Sequence, residues 1–201
     1  MRHMIVCAFW TDERYRVLAH QLFASAHRMG LPTHGWSAPD TGDWKRNTLL
    51  RPALVVASIK RFAAEYESIL WCDADTVFRN PPEQVENDTE HDAGFRWDGP
   101  KVVWPGCTWW RTNLRALTIA ETWQRHSESG EYSEDERSLT RTILDAPPTW
   151  RLLALPAGYV WLKYDFMNHP AERPVLEHSL VHTSSMHKQA KPVDGSPGTP
   201  A

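Results

Sequence analysis

The sequence predicts one α/β domain with a mostly parallel central sheet flanked by helices. Three observations carry that expectation. Met4-Ile5-Val6-Cys7-Ala8-Phe9 is an unbroken apolar run, the pattern of a strand buried on both faces, as in a parallel sheet. Tyr15, Leu18, Leu22, Ala26 and Met29 follow at helical spacing. A second helical stripe then leads into another short apolar run, Ile69-Leu70-Trp71-Cys72. Strand, helix and strand in alternation are the layout of an α/β domain.

Thr11 and Asp12 offer N-caps for the first helix, and Gly30 is a natural stop. A second strand is expected near residues 33–36. Residues 37–50 are polar and read as a loop. Pro52 suits the first turn of the next helix, whose inner stripe is Val55, Ile59, Phe62 and Tyr66. Arg79-Asn80-Pro81-Pro82 breaks the chain into a turn. Residues 91–111 are aromatic and strand-like in three pieces. A helix over about 112–127 carries Leu114, Leu117, Ala120 and Trp123. Ser133 and Glu136 have the spacing of a capping box for a helix with Leu139, Ile143 and Leu144 on its apolar face. Late strands fit residues 151–155, 158–162 and 179–183. The domain is expected to span residues 1–188, and residues 189–201 have the composition of a disordered tail.

A chain of 201 residues suits one domain with a full core. Its 41% hydrophobic and 23% charged residues are ordinary for a soluble globular protein. A net charge of −3 argues against a strong non-specific hold on nucleic acid phosphates. The 11 tryptophans suit flat contacts with sugar or base faces, besides filling the core. Cys7, Cys72 and Cys107 are sparse, and two lie in apolar runs, so they read as buried thiols of a reducing compartment. No apolar run is long enough for a membrane span, and the N-terminus enters a strand at once. A cytoplasmic protein is the resulting expectation. There is no phosphate-cradling Gly-x-x-x-x-Gly-Lys loop and no Cys/His cluster with zinc spacing.

Asp73 and Asp75 are the sharpest signal. In extended backbone, carboxylates at i and i+2 point to one side. They lie just past a buried strand, where ligands bind in open α/β sheets. Hard oxygen donors suit Mg²⁺ or Mn²⁺, which can also hold a diphosphate. A bare Asp-x-Asp is common, as a capped turn beside a solvated acid. The apolar runs before it and after it, Thr76-Val77-Phe78, set this one apart.

The segment Ile69-Leu70-Trp71-Cys72-Asp73-Ala74-Asp75-Thr76-Val77-Phe78 resembles the Asp-x-Asp motif of GT-A glycosyltransferases, the glycogenin-like group above all. Three further segments occur in the order of that group. Arg51-Pro52 stands where these enzymes often have Lys-Pro. Asp135-Glu136-Arg137-Ser138-Leu139 resembles Asp-Gln-x-x-Leu, with Glu136 in place of Gln. Val181-His182-Thr183-Ser184-Ser185-Met186-His187-Lys188 resembles a late His…Lys pattern, with Ser185 in place of Gly. The resemblance implies a single GT-A-like, Rossmann-like domain. It implies a metal-dependent transfer of a sugar from a nucleotide-diphosphate sugar to a hydroxyl acceptor. A saccharide is the favoured acceptor, and a lipid-linked sugar, a protein side chain and a hydroxylated nucleic acid base stay open.

On that resemblance Asp73, Asp75 and His182 hold the Mn²⁺ or Mg²⁺, with His187 as a competitor for the third place. Lys188 and Arg51 meet the diphosphate, where fixed cations stabilise a departing anion. Asp135 is a candidate to orient the sugar or to act as base for the acceptor hydroxyl, although an acid in a first helical turn is favoured by the helix dipole alone. Ala8, Phe9 and Trp10 close the first strand where base and ribose would lie, and Ala74 sits between the two acids. Gly106, Thr108 and Trp109 fall where the sugar pocket is expected, the glycine permitting close approach. Two rivals remain. A nucleotidyltransferase would usually carry a Gly-rich basic loop where this chain has Phe9-Trp10-Thr11-Asp12-Glu13-Arg14. A non-catalytic nucleotide-sugar-binding module would not need both carboxylates.

Overall fold

The first apolar run forms strand β1 (Arg2–Trp10) in the computed structural model, which describes residues 2–99, 101–162 and 174–178. Met4, Val6 and Ala8 face one layer while Ile5 and Cys7 face the other, all buried. Helix α1 (Glu13–Arg28) follows, and Asp12 caps it by accepting from Tyr15 N at 2.8 Å. Strand β2 (Thr33–Ser37) comes next. The polar stretch expected to be a loop contains a one-turn helix, α2 (Trp44–Thr48), capped by Asp43. Helix α3 (Arg51–Phe62) has Pro52 in its first turn and buries Val55, Ile59 and Phe62. Tyr66 lies beyond its end and opens β3 (Tyr66–Cys72), because the helix stops at Phe62.

Short strand β4 (Thr76–Phe78) and helix α4 (Glu83–Glu86) precede β5 (Ala93–Asp98) and β6 (Val102–Arg111). The two later pieces expected within 91–111 are one strand, β6, whose pairing with β5 shifts register between Phe95 and Arg96. Helix α5 (Leu114–Glu128) is capped by Asn113. Helix α6 (Asp135–Leu144) starts after Glu134, with no side-chain cap, so the Ser133–Glu136 box does not form. Glu134 instead pairs with Lys45 at 3.7 Å and Arg137 at 3.1 Å. Strand β7 (Leu152–Leu155) fits its expectation. Residues 157–160 form a single 3₁₀ turn, with Tyr159 N donating to Pro156 O at 3.1 Å, and only Trp161–Leu162 are strand β8. Strand β9 (Leu176–His178) ends the described chain. The strand expected at 179–183, the tail and the end of the domain lie outside the described residues.

The main sheet has the order β2-β1-β3-β6-β5-β7. Pairs β1–β2, β1–β3 and β5–β7 are parallel, and β6 runs against both of its neighbours. A mostly parallel sheet flanked by helices is therefore the architecture. One core layer packs Trp71, Trp110, Trp123 and Ile119 under α3, α5 and α6. Trp110 and Trp123 stack at 5.9 Å, and the Trp123 indole donates to Ser138 Oγ at 3.0 Å. The opposite layer packs Leu70, Cys72, Cys107 and Trp109 under α1. Burying one large side chain of this kind is worth about 1.5–3 kcal/mol. The three cysteines are buried free thiols. A second sheet, β4-β9-β8, lies beyond the end of β3.

Candidate active site

Strand β3 delivers Asp73 to the edge of the core. Asp73 N donates to Gly106 O at 2.9 Å, which extends the β3–β6 ladder by one step. The chain then leaves extended geometry. Thr76 N and Thr76 Oγ1 both reach Asp73 O, at 3.2 and 2.7 Å, closing a turn over Asp73-Ala74-Asp75. The two carboxylates are thus gathered by a turn and not by strand alternation.

Beyond the turn, β4 pairs antiparallel with β9, and Thr76 is the partner of His178. That register brings His178 back to the acids. Ligand atoms of Asp73, Asp75 and His178 lie within 4.8 Å of one another. His178 is 6% exposed, and its Nε2 has no hydrogen-bond partner among the described residues. Burial lowers the pKa of His178, with Asp73 pulling the other way and Arg51 adding to the lowering. The neutral imidazole this favours is the form that ligates metals. Burial, then the charge of Asp73, raises Asp75 to about 7. Two carboxylates crowded at a half-buried turn beside an unpartnered imidazole nitrogen fit a divalent cation with mixed oxygen and nitrogen donors.

Gly106 is part of this construction. A Cβ there would stand 2.9 Å from Asp73 Oδ2 and 2.9 Å from His178 Cε1. Arg51, at the start of α3, lies behind the acids and is only 5% exposed. Its Nη2 donates to Asp73 Oδ1, and its Nη1 stands 3.0 Å from Asp135 Oδ2. Nη1 and Oδ2 are close without the alignment of a hydrogen bond, and Arg51 Nε has no acceptor among the described residues. Burial raises Asp135 to about 6 against the opposing pull of Arg51.

A cleft of about 250 Å³ opens over the acids. Phe9, Trp10, Thr11 and Tyr15 form one wall, Trp44, Asn47, Thr48 and Arg51 another, with Trp104, His178 and Asp73-Ala74-Asp75 at the end. Gly35 makes room for the Trp10 indole, since a Cβ there would meet it at 2.3 Å. Asn47 fastens the α2 wall, donating to Asp40 Oδ1 at 2.8 Å and to Thr11 Oγ1 at 3.3 Å. A shallower depression of about 640 Å³ lies between α3 and α5. Its one carboxylate, Asp92, is engaged by Arg151, so it offers no comparable chemistry.

Of the residues expected at the site, Phe9, Trp10, Arg51, Asp73, Ala74 and Asp75 line the cleft. Gly106 lies against Asp73 and His178. Ala8, Thr108 and Trp109 are fully buried and off its walls, and the Thr108 hydroxyl accepts from the Trp110 indole at 2.8 Å. Asp135 is 4% exposed and reaches the acids through Arg51. His182, His187 and Lys188 lie outside the described residues. The sequence pattern does not point to His178, Trp44 or Trp104 as site residues, and it assigns Tyr15 only to the stripe of the first helix, whereas all four line the cleft. A lone histidine in a three-residue strand carries no periodic signal, and only its pairing with Thr76 reveals it.

No protein-family model and no curated protein matches the chain. Among solved structures it is similar to a glycosyltransferase involved in the glycosylation of the major capsid of PBCV-1. The TM-score is 0.68 over 93% of this chain and 97% of that one, at 10% identity. The chain has the fold of a glycosyltransferase. Among the described residues no helix is long and apolar enough to cross a membrane.

Proposed function

We propose that the chain is a metal-dependent glycosyltransferase using a nucleotide-diphosphate sugar. The observation that carries this reading is the meeting of Asp73, Asp75 and His178 at the end of an aromatic-walled cleft, in a fold shared with a glycosyltransferase. Mn²⁺ or Mg²⁺ held there would supply a Lewis acid for the negative charge that grows on the leaving diphosphate. The protein's own groups do the rest. Phe9 and Trp10 offer flat apolar faces to the nucleoside. Asp73 and Asp75 would hold the cation that meets the diphosphate. Arg51 places a permanent positive charge in the wall beneath it. Lys188 is proposed as a second cation for the departing group. A saccharide is the favoured acceptor, and a hydroxylated base in nucleic acid is the other candidate.

The test is release of nucleoside diphosphate from a panel of nucleotide sugars, with and without Mn²⁺ or Mg²⁺. Slow cation-dependent release from one donor is the expected result. If no donor is bound or hydrolysed with either cation, the enzyme reading fails. Pyrophosphate release from a nucleoside triphosphate would instead mark a nucleotidyltransferase. Asp73→Asn and Asp75→Asn should each abolish cation-dependent donor binding while the far-ultraviolet circular dichroism stays unchanged.

A further inference from the structure

We propose that Asp135 and Arg51 form a positioning relay that aims Asp73 at the cation, so that cation affinity depends on two residues that do not touch it. This rests on the reading of Asp73, Asp75 and His178 as a cation site. The two oxygens of Asp73 have different surroundings. Oδ1 accepts from Arg51 Nη2. Oδ2 lies beside Gly106, on the side of the His178 ring, since one Cβ position at Gly106 would be 2.9 Å from both. Arg51 therefore occupies one oxygen and leaves the other turned toward the second ligand.

Arg51 needs its own anchor. A guanidinium on a long stem has many rotamers, and α3 begins at Arg51 without a side-chain cap to stiffen its entry. Asp135 supplies the anchor from the first turn of α6, 3.0 Å from Nη1, with both side chains 5% exposed. The relay spans three elements, α6 to α3 to the turn after β3. An arginine suits the place because one nitrogen of its planar fork donates to Asp73 while the other forms an ion pair with Asp135, which a lysine point charge cannot do with the same geometry. Outer partners of metal ligands commonly act in this way, by fixing the ligand's orientation.

The charge of Arg51 and its geometry push cation affinity in opposite directions. Its positive charge repels the cation, whereas its hydrogen bond orients the ligand. Arg51→Lys keeps the charge and removes the fork, so it isolates geometry. The experiment measures Mn²⁺ binding, with no nucleotide present, from the loss of the free-ion electron paramagnetic resonance signal. Wild type, Asp73→Asn, Arg51→Lys, Asp135→Glu and the double variant Arg51→Lys/Asp135→Glu are compared. Asp135→Glu keeps its charge and moves the carboxylate by one methylene. Each single variant of the relay should bind Mn²⁺ roughly 10–100-fold more weakly. The double variant should lose no more than the worse single, because both break one chain of contacts.

Unchanged or tighter Mn²⁺ binding by Arg51→Lys overturns the relay, leaving Arg51 as a charge only. Additive losses in the double variant overturn it as well. Circular dichroism and thermal melting identify a variant that fails to fold, and the remaining folded single variant then decides by the same criterion. Wild type that binds no Mn²⁺ overturns the cation site itself. That outcome is distinct from a wild type that binds, an Asp73→Asn that does not, and a relay variant that matches wild type.

Discussion

At the scale of single residues the site depends on close approach. Gly106 has no side chain because Asp73 Oδ2 and the His178 ring occupy the space a Cβ would take. Gly106→Ala should push both ligands aside, costing about 1–3 kcal/mol of stability and weakening Mn²⁺ binding. Chemical denaturation and titration with Mn²⁺ measure the two effects separately. Unchanged binding would show that the ligands relax freely. His178→Ala should weaken Mn²⁺ binding by more than about ten-fold, since even outer partners of a ligand are worth that much. The aspartates were legible from their flanking apolar runs. Arg51 was legible as a cation at the head of a helix, but not its burial between two acids. His178 was not legible, because its meaning lies in a partner across the ladder.

At the scale of elements the joints are made by polar groups inside the protein. Asp92 is the clearest. Its carboxylate is fully buried and takes hydrogen bonds from Arg151 Nη2 at 2.9 Å, Arg151 Nε at 3.2 Å and Asn113 Nδ2 at 3.2 Å. Its backbone meets Arg151 O and Arg111 N. One residue thus ties the starts of β5, β7 and α5 to the end of β6. Burial alone would raise the Asp92 pKa, but the bonds from Arg151 and Asn113 outweigh it and hold the pKa below its ordinary value. A depressed carboxyl contributes stability that is fully present above the unfolded pKa of about 4 and is lost as pH falls through the lower folded value. Asp92→Ala should therefore cost stability at neutral pH, on the order of 2–3 kcal/mol, with the half-exposed Arg151 reducing its share through solvent screening. The gap between variant and wild type should narrow below about pH 4, as read by denaturant melts across pH. A gap that widens in acid contradicts this sign.

At the scale of the whole molecule the alternation of buried strands and striped helices was readable, because both faces of β1 and β3 are apolar and α1, α3 and α5 each carry one apolar face. The hidden parts are those set by distant partners. Residues 157–160 have strand-like composition, yet Gly158 O is bonded to Val175 N at 2.7 Å and the backbone curls into a 3₁₀ turn. Helix α2 is too short for periodicity, and its cap and the Asn47 hydrogen bonds define it instead. A cation bound only to the folded chain should stabilise all of it. At a hundred-fold excess over its dissociation constant, Mn²⁺ should add about 2.7 kcal/mol. For a domain of this size that raises the melting temperature by about 5–10 °C. Asp73→Asn should melt at the same temperature with and without Mn²⁺, as scanning calorimetry would record.

The pairing of Thr76 with His178 also joins distant parts of the chain. Arg79, just past β4, donates to Glu177 of β9 at 3.0 Å, across 98 positions of the chain. The segment between them carries β5, β6, α5 and α6, and contacts so far apart in a chain are expected to form slowly. Asp73 and Asp75, two residues apart, need no such closure to meet, whereas His178 reaches them only through the pairing of β4 with β9. A chain interrupted anywhere in that interval carries both acids and no His178, so competence to hold the cation would report that β9 has paired with β4.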